Sequence, residues 1–277
     1  MERAIIFYVI SIFFLTSCTM ESAVNGEFHV NKKVINLTKT QIPHDFIPQN
    51  FTIVSIGDSL TKGVGDSTNR GGYIPYLQSK LEKEKGINKV EFKNYGVKGN
   101  KTEDLRNRLN KLEIKTDIKR SDIVIITIGG NDIMKVVKEN ISHLKKEDFI
   151  PAKVNYEKNL NNIIYSIRSI NPRIPIVLIS LYNPFYTWFA DVKEMDEILT
   201  EWNKAGQFVM SSYNDTYFVR IDEIFKKTNE NLLYRDYFHP NDKGYSLIAN
   251  RLFITITEKT IKDLIERKYM ASKEESK

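Results

Sequence analysis

Ser59 ends the run from Phe51 to Ser59, in which Ile53, Val54 and Ile56 supply the branched side chains of a buried strand and Gly57 breaks it. A serine on such a turn places its hydroxyl at the carboxyl end of a strand, where open parallel sheets hold their ligands, although turns and helix caps also favour serine. A serine hydroxyl is a weak nucleophile at neutral pH and needs a base within hydrogen-bond reach. Histidine, the usual base, occurs four times, at His29, His44, His143 and His239. The first two fall in a polar stretch near the start and the third in a lysine-rich excursion, which leaves His239. Asp236 stands three residues before it, close enough across one turn to fix the ring's tautomer and leave the other nitrogen free to accept a proton.

The elements that must bring these groups together alternate between strand and helix from residue 51 onward, which argues for a parallel sheet covered by helices. Strands are expected at 90–95, 123–128, 176–181 and 217–221, with helices at 73–85, 102–112, 154–170, 191–213 and 243–268. The run Ile123 to Ile128 is almost unbroken in β-branched residues and suits a strand buried on both faces. Leu105, Leu109 and Leu112 read as one helix face, and residues 133–150 as an irregular excursion beside a site. Glycine-bearing breaks at Gly57, Gly96 to Gly99 and Gly129 to Gly130 each follow a strand. Parallel strands open on one edge, so Ser59, the Gly99 backbone and Asn131 are expected together.

Four short blocks then carry a resemblance: Gly57 to Leu60, Asn94 to Gly99, Gly129 to Asp132 and Asp236 to Pro240. In that order, across roughly 180 residues, they resemble the GDSL or SGNH hydrolases, serine esterases and lipases. The run Gly57 to Tyr73 is further similar to lysophospholipase-like lipoproteins of spore-forming Gram-positive bacteria. The resemblance implies a flavodoxin-like three-layer α/β/α sandwich whose five-stranded parallel sheet has the order 2-1-3-4-5. It implies Ser59 as nucleophile, His239 as base and Asp236 as its orienting carboxylate. The N–H groups of Ser59 and Gly99 and the amide of Asn131 would form an oxyanion hole. Two plainer roles stay open: Asn131 capping the helix that follows it, and Asp58 pinning its turn. Residues 57–65 lack the Gly-Lys-Ser/Thr ending of a nucleotide-phosphate loop. No cofactor or metal is expected.

Ala4 to Leu15 has the length of a secretory signal's apolar core and is too short to span a bilayer as a mature helix. Residues Leu15 to Cys18 resemble the bacterial lipoprotein signal, with Cys18 lipidated as the new amino terminus; an uncleaved anchor with an incidental cysteine is the alternative. Cys18 is the only cysteine, so neither an internal disulfide nor a cysteine zinc cluster is available. The expected organisation is a signal peptide at 1–17, a lipid-anchored tether at 18–50, a hydrolase domain at 51–268 and a charged tail at 269–277. The protein would then sit on the outer face of the cell membrane as a monomer. The net charge of +6 comes from scattered lysines without an arginine-rich stripe or interleaved aromatics, which argues against nucleic-acid binding.

For substrate, the aromatic segment holding Tyr182, Phe185, Tyr186, Trp188 and Phe189 suggests a wall for an acyl chain, with core packing as the plain alternative. The expected activity is hydrolysis of acyl-lipid or lysophospholipid esters. Deacetylation of cell-wall glycans, or non-catalytic binding of lipid or glycan, would use the same scaffold.

Overall fold

The computed structural model describes residues 47–185, 193–226 and 230–275. In chain order the elements begin with β1 (Gln49–Gly57), α1 (Ser59–Lys62), α2 (Ile74–Leu81), β2 (Ile87–Gly96), α3 (Thr102–Arg108), α4 (Leu112–Arg120) and β3 (Ile123–Thr127). They continue with α5 (Gly130–Glu139), α6 (Phe149–Ile170), β4 (Ile176–Ile179), α7 (Lys193–Ser211), β5 (Thr216–Val219), α8 (Asp222–Lys226), α9 (Asp242–Ile256) and α10 (Lys262–Glu275), the last two joined by a π-type segment, Thr257–Ile261. All five strands are parallel, in the order β2-β1-β3-β4-β5. The expected five-stranded, three-layer architecture is the one observed.

Side-chain alternation builds two cores on this sheet. Val54, Ile56, Val124, Ile126, Ile176 and Leu178 point to one face, where Leu105, Ile114, Leu160, Ile164 and Trp202 of α3, α4, α6 and α7 pack on them. Phe51, Ile53, Ile123, Ile125, Val177 and Ile179 point to the other, covered by Leu77 of α2 and by Tyr245, Ile248 and Leu252 of α9. Helices on both faces are why β3 and β4 lack alternation in sequence: every residue of each is buried.

The chain runs from β1 out to β2, then back across β1 to β3, so the connections reverse direction between β1 and β3. A crevice must open there at the carboxyl edge. Gly57 shapes it: its φ is +145°, and a Cβ there would come within 2.0 Å of the Thr127 carbonyl oxygen. β1 can therefore lie against the end of β3 only without a side chain at that position.

The helices depart from expectation in four places. The expected helix 102–112 is two helices, because the chain turns at Leu109 to Lys111; Leu112 starts the second one 80% exposed, while Ile114 and Ile118 carry its buried face. Residues 133–139 of the expected excursion belong to the regular helix α5, which starts at Gly130, with Ile133 and Val136 inward and lysines outward. Helix α6 begins at Phe149, five residues before the expected start, since buried Phe149 anchors its first turn. Helix α10 continues to Glu275, beyond the expected end at Lys268. None of the described helices is long and apolar enough to cross a membrane.

Candidate active site

The turn after β1 is organised by Asp58. Its Oδ1 accepts the Leu60 N–H at 3.0 Å, capping α1, and the Thr127 hydroxyl at 2.9 Å. The Asp58 N–H in turn donates to the Thr127 carbonyl at 3.0 Å. Thr61 closes the cluster through its hydroxyl contact with Thr127 at 2.8 Å. Ser59 is thereby held at the tip of β1, nearly buried, with its Oγ 2.9 Å from His239 Nε2.

His239 reaches this position on a loop closed by its own backbone. Tyr234 N–H donates to the His239 carbonyl at 2.7 Å, Tyr237 N–H to the Tyr234 carbonyl at 2.8 Å, and Asn241 N–H to the Leu232 carbonyl at 2.8 Å. Tyr237 adopts a left-handed φ of 56°, strained backbone for a bulky residue. That turn lets Asp236 fold back on the residues after it. Its Oδ1 accepts the N–H groups of Phe238 and His239, both at 3.0 Å, and its Oδ2 lies 2.7 Å from His239 Nδ1. Partial burial pushes the Asp236 carboxyl up, but those N–H groups and the imidazole outweigh it and hold its pKa below the usual carboxylate value.

Ser59, His239 and Asp236 thus form a continuous hydrogen-bonded series. Facing Ser59, Asn131 lies in the first turn of α5 and its Nδ2 donates one hydrogen to the Asn100 carbonyl at 3.0 Å. The anchoring bond leaves the second amide hydrogen available. Asn131 is not the residue that caps α5; Gly129 holds that position. Gly99 has φ +82°, and a Cβ built on it would meet nothing within 4 Å, so its backbone borders open space. Among the described residues, neither the Gly99 nor the Ser59 N–H has a protein acceptor. A series of acid, imidazole and hydroxyl beside three donors can attack a carbonyl and stabilise the resulting oxyanion.

The GDSL-like Lipase/Acylhydrolase family model matches residues 55–247. The chain belongs to this family. It is 34% identical over 248 residues to the uncharacterized protein YpmR of Bacillus subtilis, covering 88% of this chain and 92% of that one. It is 26% identical over 206 residues to the spore germination lipase LipC of Bacillus licheniformis, covering 72% of this chain and 92% of LipC. Among solved structures, the lipase Lip_vut3 from a goat rumen metagenome shares the fold with a TM-score of 0.66 at 24% identity, covering 73% of this chain and 95% of that one. Like other GDSL/SGNH members, the protein is a serine hydrolase acting on ester bonds.

Behind Ser59, this GDSL-family site opens into a recess of about 50 Å³ bordered by Leu60, Ile133, Met134, Leu181, Phe185 and Phe238. Tyr182 also borders it, but its main contacts are structural: the ring stacks on Phe225 at 4.1 Å and the hydroxyl donates to the Phe238 carbonyl at 2.5 Å. Of the five aromatics expected as an acyl wall, Tyr182 and Phe185 therefore reach the site. Tyr186, Trp188 and Phe189 lie outside the described residues, as does Cys18.

Several supporting residues were not singled out from sequence. Asp66 takes both the N–H and hydroxyl of Thr68 and the N–H groups of Arg70, Gly71 and Gly72, at 2.6 to 3.1 Å. The loop it winds up is tied to α9 by Ser67 on Asp242 and by the Tyr245 hydroxyl on the Val64 carbonyl at 2.7 Å. It packs beneath His239. An aspartate followed by serine and threonine in a glycine-rich loop is a recognisable turn signal, so Asp66 was findable. Thr127 and Tyr245, whose partners lie far away in the chain, were not.

Burial on the recess floor pushes the Asp58 carboxyl up to about 7, against the lowering effect of its Leu60 and Thr127 hydrogen bonds. The folded protein therefore keeps a proton that the unfolded chain loses from about pH 4 upward. This contribution to stability is full below pH 4 and is lost as pH rises through 7. Asp58→Asn retains an acceptor and carries no charge. Between pH 5 and pH 8 its melting temperature should fall about 4–8 °C less than that of wild type, for roughly 2 kcal/mol of relief. Thermal melts of both proteins at the two pH values check this, and parallel pH dependences would refute it.

Proposed function

We propose that the protein hydrolyses esters of short acyl groups, of acetyl to butyryl size, through an acyl-enzyme on Ser59. The observation that carries this reading is the small apolar recess beside the Ser59 hydroxyl. The recess measures about 50 Å³ and is bordered chiefly by apolar side chains. Ser59 Oγ attacks the ester carbonyl as its proton passes to His239 Nε2, and Asp236 stabilises the imidazolium. The oxyanion is held by the N–H groups of Ser59 and Gly99 and the amide of Asn131. Collapse expels the alcohol, which takes the proton from His239. Water, deprotonated by the same imidazole, then releases the acid and regenerates Ser59.

The acyl-lipid reading also has support, since the recess walls are apolar and one relative at 26% identity is a spore germination lipase. The two readings differ in chain-length dependence. Each buried methylene contributes about 0.8 kcal/mol, close to fourfold in kcat/KM, until the space is filled. With p-nitrophenyl acetate, butyrate and octanoate, kcat/KM should peak at acetate or butyrate and drop at least tenfold at octanoate. A continued rise to octanoate, together with hydrolysis of lysophospholipid, would replace the short-acyl reading with the acyl-lipid one.

The domain organisation belongs to the same proposal: a signal peptide to residue 17, lipidation of Cys18 and a tether carrying the hydrolase outside the cytoplasmic membrane. Its support is the apolar run ending in Leu15 to Cys18. Mass analysis of the cell-derived amino terminus should find diacylglycerol on Cys18, and Cys18→Ala should shift most of the protein out of the membrane fraction. An unmodified cysteine on an uncleaved, membrane-bound chain contradicts it.

A further inference from the structure

The oxyanion donors proposed above sit on separate stretches of chain: the turn after β1, the loop between β2 and α3, and the first turn of α5. An oxyanion donor works only at about 2.7–3.1 Å from the developing charge, so these stretches must be held in fixed relation. The loop is not held by packing, because Val97, Lys98 and Gly99 are all exposed. Hydrogen bonds hold it instead. The Val97 N–H donates to the Gly57 carbonyl at 3.0 Å, and the Asn100 N–H to the Val97 carbonyl at 3.2 Å.

Asn100 also ties the loop to its surroundings at both of its oxygens. Its carbonyl accepts the Asn131 amide at 3.0 Å, and its side-chain oxygen accepts Arg108 Nη1 at 2.7 Å. Arg108 is the last residue of α3, and its guanidinium reaches away from that helix to the strand ends. Nη2 donates to the Tyr95 carbonyl near the end of β2 at 2.6 Å, and Nη1 makes a long 3.5 Å contact with the Gly57 carbonyl that ends β1. One side chain therefore touches the strand end below Ser59 and the loop of Gly99, and reaches Asn131 through Asn100.

The company Arg108 keeps is unusual for a cation. Among the described residues no carboxylate lies within ion-pair distance of it; Asp104, on the same helix, pairs with Lys101 at 3.3 Å. Burial holds the guanidinium below the usual arginine value, with the Asp104 charge opposing that effect, yet it stays protonated. Taking a cation partly out of water to meet only neutral oxygens has a desolvation cost. What it gains is geometry, since a planar fork holds the Tyr95 and Asn100 acceptors in one arrangement that a lysine could not reproduce.

We propose that Arg108 is a positioning residue for the oxyanion hole, fixing through Asn100 where the Gly99 N–H and the Asn131 amide stand relative to Ser59. The proposal rests on the reading of those two groups as oxyanion donors. Arg108 itself does not border the recess and acts only through Asn100.

The test measures kcat and KM for p-nitrophenyl acetate, alongside thermal melts, in Arg108→Met, Asn100→Ala, the two combined, and Asn131→Ala. Misplacing a reacting geometry by about 1 Å costs up to about a hundredfold, so each of the first two should lower kcat by roughly 10–100-fold. KM should stay within about twofold, because the lost interaction belongs to the transition state. The combined variant should fall no more than about twofold below the slower single one, since both substitutions cut the same link. Asn100→Ala leaves Arg108 on Tyr95 and carries the test if Arg108→Met does not fold. Losses that multiply in the combined variant, an effect confined to KM, or a kcat loss smaller than tenfold in Asn100→Ala overturn the positioning role and leave Arg108 as a brace for the end of β2. Asn131→Ala should lose about two to three orders of magnitude in kcat. Wild-type turnover in that variant would instead bring down the oxyanion reading on which the proposal stands.

Discussion

Ser59→Ala should lower kcat for p-nitrophenyl acetate by about a millionfold, the loss expected when a nucleophile that works as a unit with its base is removed. Among the described residues the Ser59 Oγ has one hydrogen-bond partner, His239 Nε2 at 2.9 Å, and takes no part in the Asp58, Thr61 and Thr127 cluster that shapes the turn. The substitution therefore removes the reacting atom without dismantling its mount, and Tm should stay within about 2 °C of wild type. A fluorophosphonate probe should form one adduct with wild type, on Ser59, and none with the variant. Labelling at another serine, or turnover within tenfold of wild type, would sink the mechanism. The residual rate should still exceed that in water, because the proposed oxyanion donors, the N–H groups at positions 59 and 99 and the Asn131 amide, remain in place.

Ser59 and His239 are 180 residues apart, yet the chain's pattern already brought them to one edge. Parallel strands that end in glycine open on the same side, and β1 and β3 carry that signal in branched runs cut off at Gly57 and Gly129. The sheet was legible because burying a strand on both faces requires an unbroken apolar stretch. Helix limits were less so. Leu105, Leu109 and Leu112 share a helical spacing, but the chain turns after Leu109, and the face of α4 is set by Ile114 and Ile118.

The groups that support the site were harder to see because each depends on a distant partner. Thr127 holds Asp58 across 69 residues of sequence, and the Tyr182 hydroxyl holds the Phe238 carbonyl across 56. Nothing in the neighbourhood of a threonine at the end of an apolar strand shows that it will receive an aspartate from the next strand. Tyr182 misled in a different way. An aromatic in a dense aromatic segment reads as an apolar wall, whereas its ring is fixed by Phe225 and its polar end stabilises the histidine loop. The recess is therefore bounded by aliphatic side chains of α5 and α7 as much as by aromatics.

Asp236→Asn should cost about ten-thousandfold in kcat while leaving the loop folded. An asparagine at this position can still accept the N–H groups of Phe238 and His239 on its oxygen, so the turn keeps the bonds that hold Tyr237 at positive φ. Its nitrogen then replaces the carboxylate oxygen that lies 2.7 Å from His239 Nδ1. An amide N–H donates, so Nδ1 must accept, and the neutral imidazole carries its proton on Nε2. Nε2 then points a hydrogen at Ser59 Oγ, where an acceptor is needed. Asp236→Ala removes the backbone acceptor as well and should lower Tm by several degrees more than Asp236→Asn, separating the loop's stability from the ring's tautomer. The Asp236 carboxyl lies below the usual range, so wild type keeps it ionised down to acidic pH, and its stabilising contribution is lost only as pH falls through that lowered value. Nitrogen-15 spectra of His239 near pH 8 should place the proton on Nδ1 in wild type and on Nε2 in Asp236→Asn. The same tautomer in both proteins, or a kcat loss smaller than tenfold, would remove Asp236 from the role of orienting the base.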